Sequence, residues 1–302
     1  MKTMRSRLKF AAAVLALALA PCSALFAQDY EIRLYRPDPV GTRFHLSAVG
    51  KQSTAQLLKQ GGKVIQETNV KFTVEAELAV TVLAVSKKDH NTRVKLEVEK
   101  LTRIEGEAKK ELLPKGSVVT VSWDGKDQAF EMAGGALAPD TEESLKLLDL
   151  VTDDPDGPTD DEILGTKDRK KVGDHWGGNA ELMAKLVGKS GAMVKKEDLT
   201  ITTTLEKIVM LDKTECMQLG TVITCDKFAP PLPLGIPVEK GVVKAVFSAK
   251  IPTATALSEP GEYSTDWTTT VIARGKPDPA ADEVLLQMTI EQSLSGRTTE
   301  LK

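Results

Sequence analysis

The chain has 302 residues, 40 basic against 43 acidic side chains, a formal net charge of −3 and only 4% aromatic residues. No block of Lys or Arg forms the positive stripe that neutralises phosphates, so nucleic acid is excluded as an expected partner, and the scarcity of aromatics argues against a stacking platform for sugars or single strands. The length suits one large or two modest domains.

The N-terminus reads as a secretory signal. Lys2, Arg5, Arg7 and Lys9 make a basic start, an apolar run covers 10–20, and Ser23-Ala24-Leu25-Phe26-Ala27 supplies small residues for cleavage after Ala27. The apolar run falls short of the ~18 residues wanted for a retained membrane anchor. Leu19-Ala20-Pro21-Cys22 is similar to a lipid-attachment box, but Pro21 stands where such boxes carry Gly, Ala or Ser. Cleavage removes four basic residues and no acidic one, leaving 36 against 43 and a mildly acidic exported protein.

Alternation is strongest over 72–86. Phe72, Val74, Ala76, Leu78, Val80, Val82 and Ala84 share one parity, while Thr73, Glu75, Glu77 and Thr81 take the other, so one face of a strand is buried and the other wet. A polar loop over 87–91 leads to a second strand with Val94, Leu96 and Val98 inward, completing a long hairpin. Shorter strands follow over 117–123 and 128–132, separated by the turn-forming Asp124-Gly125. The period then changes: Thr141, early acids and leucines at helical spacing predict a short helix over 141–150. The acidic stretch 152–162, with Pro155, Gly157 and Pro158, reads as a linker and domain boundary. Asn179 as cap and Gly188 as terminator allow a second helix over 179–187.

Four more strands follow. Leu199, Ile201, Leu205, Val209 and Leu211 fall on one parity, then Val243 to Ile251, Tyr263 to Val271, and Val284 to Ile290 each repeat the pattern. The proline-rich run 229–237 cannot be a central strand, because proline lacks the ladder donor. Val40-Gly41-Thr42-Arg43-Phe44 and Val172-Gly173-Asp174-His175-Trp176 head the two halves with a common pattern, a hint of duplication.

Cys216 and Cys225 are the cysteines left after cleavage, in a compartment that permits disulfides. On one continuous strand they lie about 30 Å apart, beyond bridging distance; a fold-back at Gly220-Thr221 would set them opposite each other and allow a bond.

Chemistry is sparse. His45, His90 and His175 are far apart and show no metal-ligand spacing. Gly188-Lys189-Ser190-Gly191 is neither a nucleophile elbow nor a phosphate loop, since Met183 stands where the latter needs glycine. A Ser/His/Asp triad assembled from distant residues stays open. Alignment of Gly157 with the glycine of a calcium-binding EF-hand loop puts Thr152 and Ile163 at the terminal ligand positions, where neither serves; the acids Asp153, Asp154, Asp156, Asp160, Asp161 and Glu162 read as a solvated linker. Trp123, Trp176 and Trp267 read as core or strand-end packing rather than a carbohydrate platform. Glu75, Glu77, Glu97 and Glu99, on the wet face of the first hairpin, are the leading pool for a carboxylate pair, and Arg93 and Lys95 are set to neutralise them.

The Val172-Gly173-Asp174-His175-Trp176 segment and the long strands after it resemble a family of uncharacterised exported bacterial β-rich proteins, in which a V-G-D-x-W turn precedes a β-rich second half. The resemblance covers residues 35–300 and implies an envelope location and a β fold, with no catalytic residue. The expected architecture is mainly β: two similar curved-sheet, half-barrel or sandwich subdomains with one or two short helices. They are divided as signal 1–27, N-terminal unit 30–151, acidic linker 152–168 and C-terminal unit 169–302. The expected role is a non-enzymatic, periplasmic or secreted binding protein for a hydrophobic ligand or a protein partner, without cofactor or metal. A structural envelope module and a carboxylate hydrolase are the alternatives.

Overall fold

The computed structural model describes residues 28–125, 127–152, 154–232, 235–255 and 261–301. The signal segment with Cys22 and Ala27, and Asp153 of the acidic stretch, lie outside them.

The architecture is mainly β, with 57% of residues in strands and 9% in helices. The strands are β1 Arg43–Gln60, β2 Lys63–Val85, β3 Asn91–Glu105, β4 Ala108–Glu111, β5 Val118–Trp123, β6 Gln128–Met132, β7 His175–Gly177, β8 Leu199–Leu211, β9 Thr214–Cys225, β10 Val238–Pro252, β11 Gly261–Gly275 and β12 Val284–Glu300. All pairings between them are antiparallel. They form one unclosed sheet in the order β6-β5-β3-β2-β1-β12-β11-β10-β9-β8-β7, with β4 attached to β3. Both halves of the chain enter this one sheet. β1 and β12 pair along their whole length, from Phe44 opposite Glu300 to Gln60 opposite Val284, so the seam carries as much backbone hydrogen bonding as any hairpin.

Two-residue alternation decides which face is covered. From Phe72 to Val82 every even residue of β2 is buried, and their partners Phe44, Leu46 and Ala48 on β1 and Val94, Leu96 and Val98 on β3 continue the same face. Each such fully buried side chain contributes about 1.5–3 kcal/mol relative to exposure. Three helices lie over this inner face: α1 Pro139–Lys146, α2 Asp160–Ile163 and α3 Ala180–Lys189. α1 begins two residues earlier than the leucine spacing predicts and ends four earlier, its first turn opened by Pro139 and by the acids Asp140 and Glu142 at the positive end of the helix dipole.

The acidic stretch is not a solvated linker. Thr159 and Glu162 form a reciprocal capping box that starts α2, the Asp161 carboxylate accepts the Leu34 N–H at 2.6 Å, Asp154 holds Lys189 at 2.5 Å and Glu162 holds Lys88 at 3.1 Å. These contacts tie the stretch to the N-terminal segment, to α3 and to the β2–β3 loop. α3 starts as expected, with the Asn179 side chain accepting the Leu182 N–H, but it runs through Gly188 and ends at Lys189.

Two further expectations are corrected. β8 does not keep one parity, because its register slips between Leu205 and Lys207; Ile208 then joins Leu205 and Met217 on the inner face, while Val209 turns to the face of Cys216. The chain does not fold back at Gly220-Thr221 either. β9 runs straight through both residues, and the β8–β9 turn lies at Asp212-Lys213, where both residues have positive φ. Cys216 and Cys225 therefore sit nine residues apart on one strand, on opposite faces, as buried free thiols.

The two head segments share a turn. Gly41 (φ 94) donates its N–H to Val82 and the Val82 N–H returns to Thr42; Gly173 (φ 93) donates to Leu205 and the Leu205 N–H returns to Asp174. The left-handed conformation favours glycine at both positions. Three residues on, Phe44 and Trp176 are each 8% exposed, the latter with its indole N–H on the Leu164 carbonyl at 2.7 Å.

Candidate functional site

The inner face is covered differently in the two halves. Over β1–β3 the cover is solid: Leu145 and Leu148 are 0% and 1% exposed, and Leu147 seats against Gly50, where a Cβ would come within 2.8 Å of it. Over β9–β11 it is not. No residue of α3 is buried, although Leu182, Met183 and Leu186 make it amphipathic. Met183, which also packs on the Ile201 and Ile223 cluster, and Leu186 face a cavity of about 400 Å³.

The floor of that cavity is the inner parity of three strands, with Leu219 and Ile223 on β9, Phe247, Ala249 and Ile251 on β10, and Tyr263 and Thr265 on β11. Its roof is Leu34 from the N-terminal segment, Ile163 and Leu164 from the end of α2, and α3. Arg36 anchors the roof segment by donating to the carbonyls of Pro252 at 2.6 Å and Ala254 at 2.9 Å, at the end of β10. Larger hollows of about 590 and 510 Å³ occur elsewhere, but charged side chains line them: Asp140, Glu142, Glu143 and Lys146 in one, Asp161, Glu162 and Lys167 in the other. Only the space under α3 combines a ligand-sized volume with mainly apolar walls among these.

Its polar groups are few. The Tyr263 hydroxyl lies over Gly296, where a Cβ would come within 2.5 Å of it, and burial, with Asp149 nearby, pushes the phenol up to about 12. Asp149 and Asp160 also line the cavity. Asp160 keeps solvent contact, yet the protein around it and then Asp161 push its carboxyl above the usual aspartate range, with His90 pulling the other way. Burial also raises Tyr35, to about 12, with Asp89, Asp160 and Asp38 adding to it, and its ring is 5.0 Å from that of His90. The His90 Nε2 is buried without a hydrogen-bond partner among the described residues.

Of the carboxylates singled out on the first hairpin, Glu77 and Glu99 are brought together at His45 and Glu75 is paired with lysines. Glu75 is bridged by Lys100 at 2.7 Å and Lys109 at 3.3 Å, and these hydrogen bonds hold its carboxyl below the usual range. Glu77 accepts the Ser47 hydroxyl at 2.9 Å and lies 3.5 Å from His45 Nε2, with Glu99 3.7 Å from the same nitrogen. Glu97 stands opposite Val118 on the same open face. His175 is exposed at the short edge strand β7. Among the described residues, no three His, Cys, Asp or Glu side chains converge as metal ligands would, and no helix is long and apolar enough to cross a membrane. Trp267 packs on the inner face near Ile223 and donates to the Thr269 hydroxyl at 2.7 Å, and Trp176 is buried, so neither offers an open stacking surface.

The strand residues of the cavity were legible as a buried face, but not that the face is left unfilled. Asp149, Asp160, Leu34 and Tyr35 carried no periodic signal. The one readable sign was the Thr159-x-x-Glu162 pattern, which marks a helix start inside the acidic stretch.

No protein-family model and no curated protein matches the chain. Among solved structures it is similar to the outer membrane protein OprG from Pseudomonas aeruginosa, at 6% identity and a TM-score of 0.20 over 88% of this chain and 99% of that one. It is similar to lipovitellin at 8% identity and 0.28, over 85% of this chain and 25% of that one. An outer membrane channel from Pseudomonas putida F1 matches at 8% and 0.19, over 89% and 99%. Scores this low place the chain in no family.

Proposed function

We propose that this chain is an exported envelope protein that carries one small hydrophobic ligand between its open sheet and the helix α3. The observation that carries the reading is the contrast between two covers on one sheet: α1 and the turn after it bury Leu145 and Leu148 fully, whereas the apolar face of the half-buried α3 borders a cavity of about 400 Å³. Met183 packs on the Ile201 and Ile223 cluster yet, with Leu186, stays only half-buried and lines the cavity, so a ligand there would add dispersion and burial. The volume lies in the usual range for small-molecule pockets, roughly 300–1,000 Å³. Export is supported by the basic start, short apolar core and small-residue stretch that end at Ala27.

The test is titration of the processed protein with the uncharged fluorophore N-phenyl-1-naphthylamine, alongside native mass spectrometry of protein purified without detergent. Saturable binding at one site, or a bound apolar adduct, supports the reading. Absence of both overturns it. Fractionation that leaves the unprocessed chain in the cytosol overturns the export half.

A further inference from the structure

Building on the carrier reading, we propose that the cavity selects a single-chain amphiphile with a cationic amine or ammonium head and rejects fatty carboxylates. The charged side chains lining the cavity among the described residues are Asp149 and Asp160; no Lys, Arg or His lines it. The groups around them are mostly acidic: Asp161 beside Asp160 on α2, and Asp38 and Asp89 acting together with Asp160 on Tyr35, with His90 on the β2–β3 loop opposing Asp160 and Arg36 opposing Asp161. Cations on neighbouring elements are engaged elsewhere. Lys88 reaches Glu162, Lys189 reaches Asp154, and Arg36 donates to the Pro252 and Ala254 carbonyls.

A carboxylate head drawn under α3 would meet two solvent-exposed acids, like charges with no cation lining the cavity to offset them. A cationic head meets opposite charge in the same place, and an uncharged head meets neither penalty nor gain. The walls fix the rest of the ligand: Phe247, Ala249, Ile251 and Met183 present only apolar atoms of their side chains, and about 400 Å³ accommodates a short chain with its head at the acids.

The experiment compares octyltrimethylammonium, octanol and octanoate, below their aggregation concentrations at neutral pH, as competitors for bound N-phenyl-1-naphthylamine. Octyltrimethylammonium is expected to bind about tenfold tighter than octanol, with octanoate weakest. In the Asp149→Asn/Asp160→Asn double variant, the advantage of the ammonium over octanol should disappear while octanol binding persists. Octanoate binding as tightly as the ammonium in the unaltered protein overturns the head-group inference while octanol binding leaves the carrier reading intact. Failure of all three, and of the fluorophore itself, overturns both.

Discussion

Ala249→Leu tests whether the space under α3 is real and whether it is where ligand binds. Ala249 points into the cavity from near the C-terminal end of β10, opposite Leu219 on β9 and Tyr263 on β11. Leucine adds three carbons at this position. At ~0.8 kcal/mol per buried methylene they bring up to about 2.4 kcal/mol, from which ordering the new side chain takes roughly 0.5–1 kcal/mol. The variant should therefore be more stable by about 1.5–2 kcal/mol, which raises the thermal midpoint by about 3–8 °C in a chain of this size. The assay is urea and thermal unfolding followed by circular dichroism, with fluorophore titration in parallel, where affinity should fall at least tenfold. Ala76→Leu is the control. Ala76 lies opposite Ala48 in the filled half and is 1% exposed, so the same three carbons should overpack it at a cost of about 1–3 kcal/mol. If Ala249→Leu destabilises as much as Ala76→Leu, the space is already filled. If it stabilises but leaves fluorophore binding unchanged, the probe binds elsewhere.

Leu145→Ala should cost about 2–5 kcal/mol in urea unfolding, because Leu145 is fully buried under α1 and its removal leaves a cavity in the solid half; a loss under 1 kcal/mol would mean that α1 does not pack as described. Asp160→Asn should raise the thermal midpoint slightly at neutral pH, the effect kept small by the water around the exposed side chain. With a folded carboxyl above its ordinary value of 3.8, stability is lost as pH rises through the folded value, so the gain should vanish as pH is lowered to 3.8 and below; a variant less stable at neutral pH would contradict this. Thiol titration of the processed protein should find two cysteines unreactive when folded and two reactive in denaturant, because burial raises both Cys216 and Cys225; a third thiol would identify an uncleaved chain that still carries Cys22.

The sequence by itself determined the strands and their faces. Alternation from Phe72 to Val82 and in β10, β11 and β12 is a local property, since a strand beside a core must place every second side chain in it, and the polar partners between them fix which side stays wet. The start of α3 was readable for the same reason, since Asn179 satisfies an N–H group only three residues away, whereas the Thr159 cap that starts α2 was passed over within the acidic stretch. The first strand was not. β1 beyond Ala48 carries Gly50, Gln52, Thr54 and Gln56 inward, and its place in the sheet comes from pairing with β2 and β12 rather than from its own pattern.

Tertiary structure decided everything that depends on residues far apart in sequence. The union of both halves through the β1–β12 seam joins residues more than 200 positions apart, and no local period encodes such a pairing. A turn at Asp212-Lys213 rather than Gly220-Thr221 set the cysteines on one strand, because cross-strand partners on β8 and β10 hold β9 straight through Gly220. The difference between a filled and an unfilled cover lies in side-chain volumes on both sides of the gap. Alternation tells that Phe247 and Ala249 face inward, but only the position of α3 above them determines whether packing or empty space meets them there.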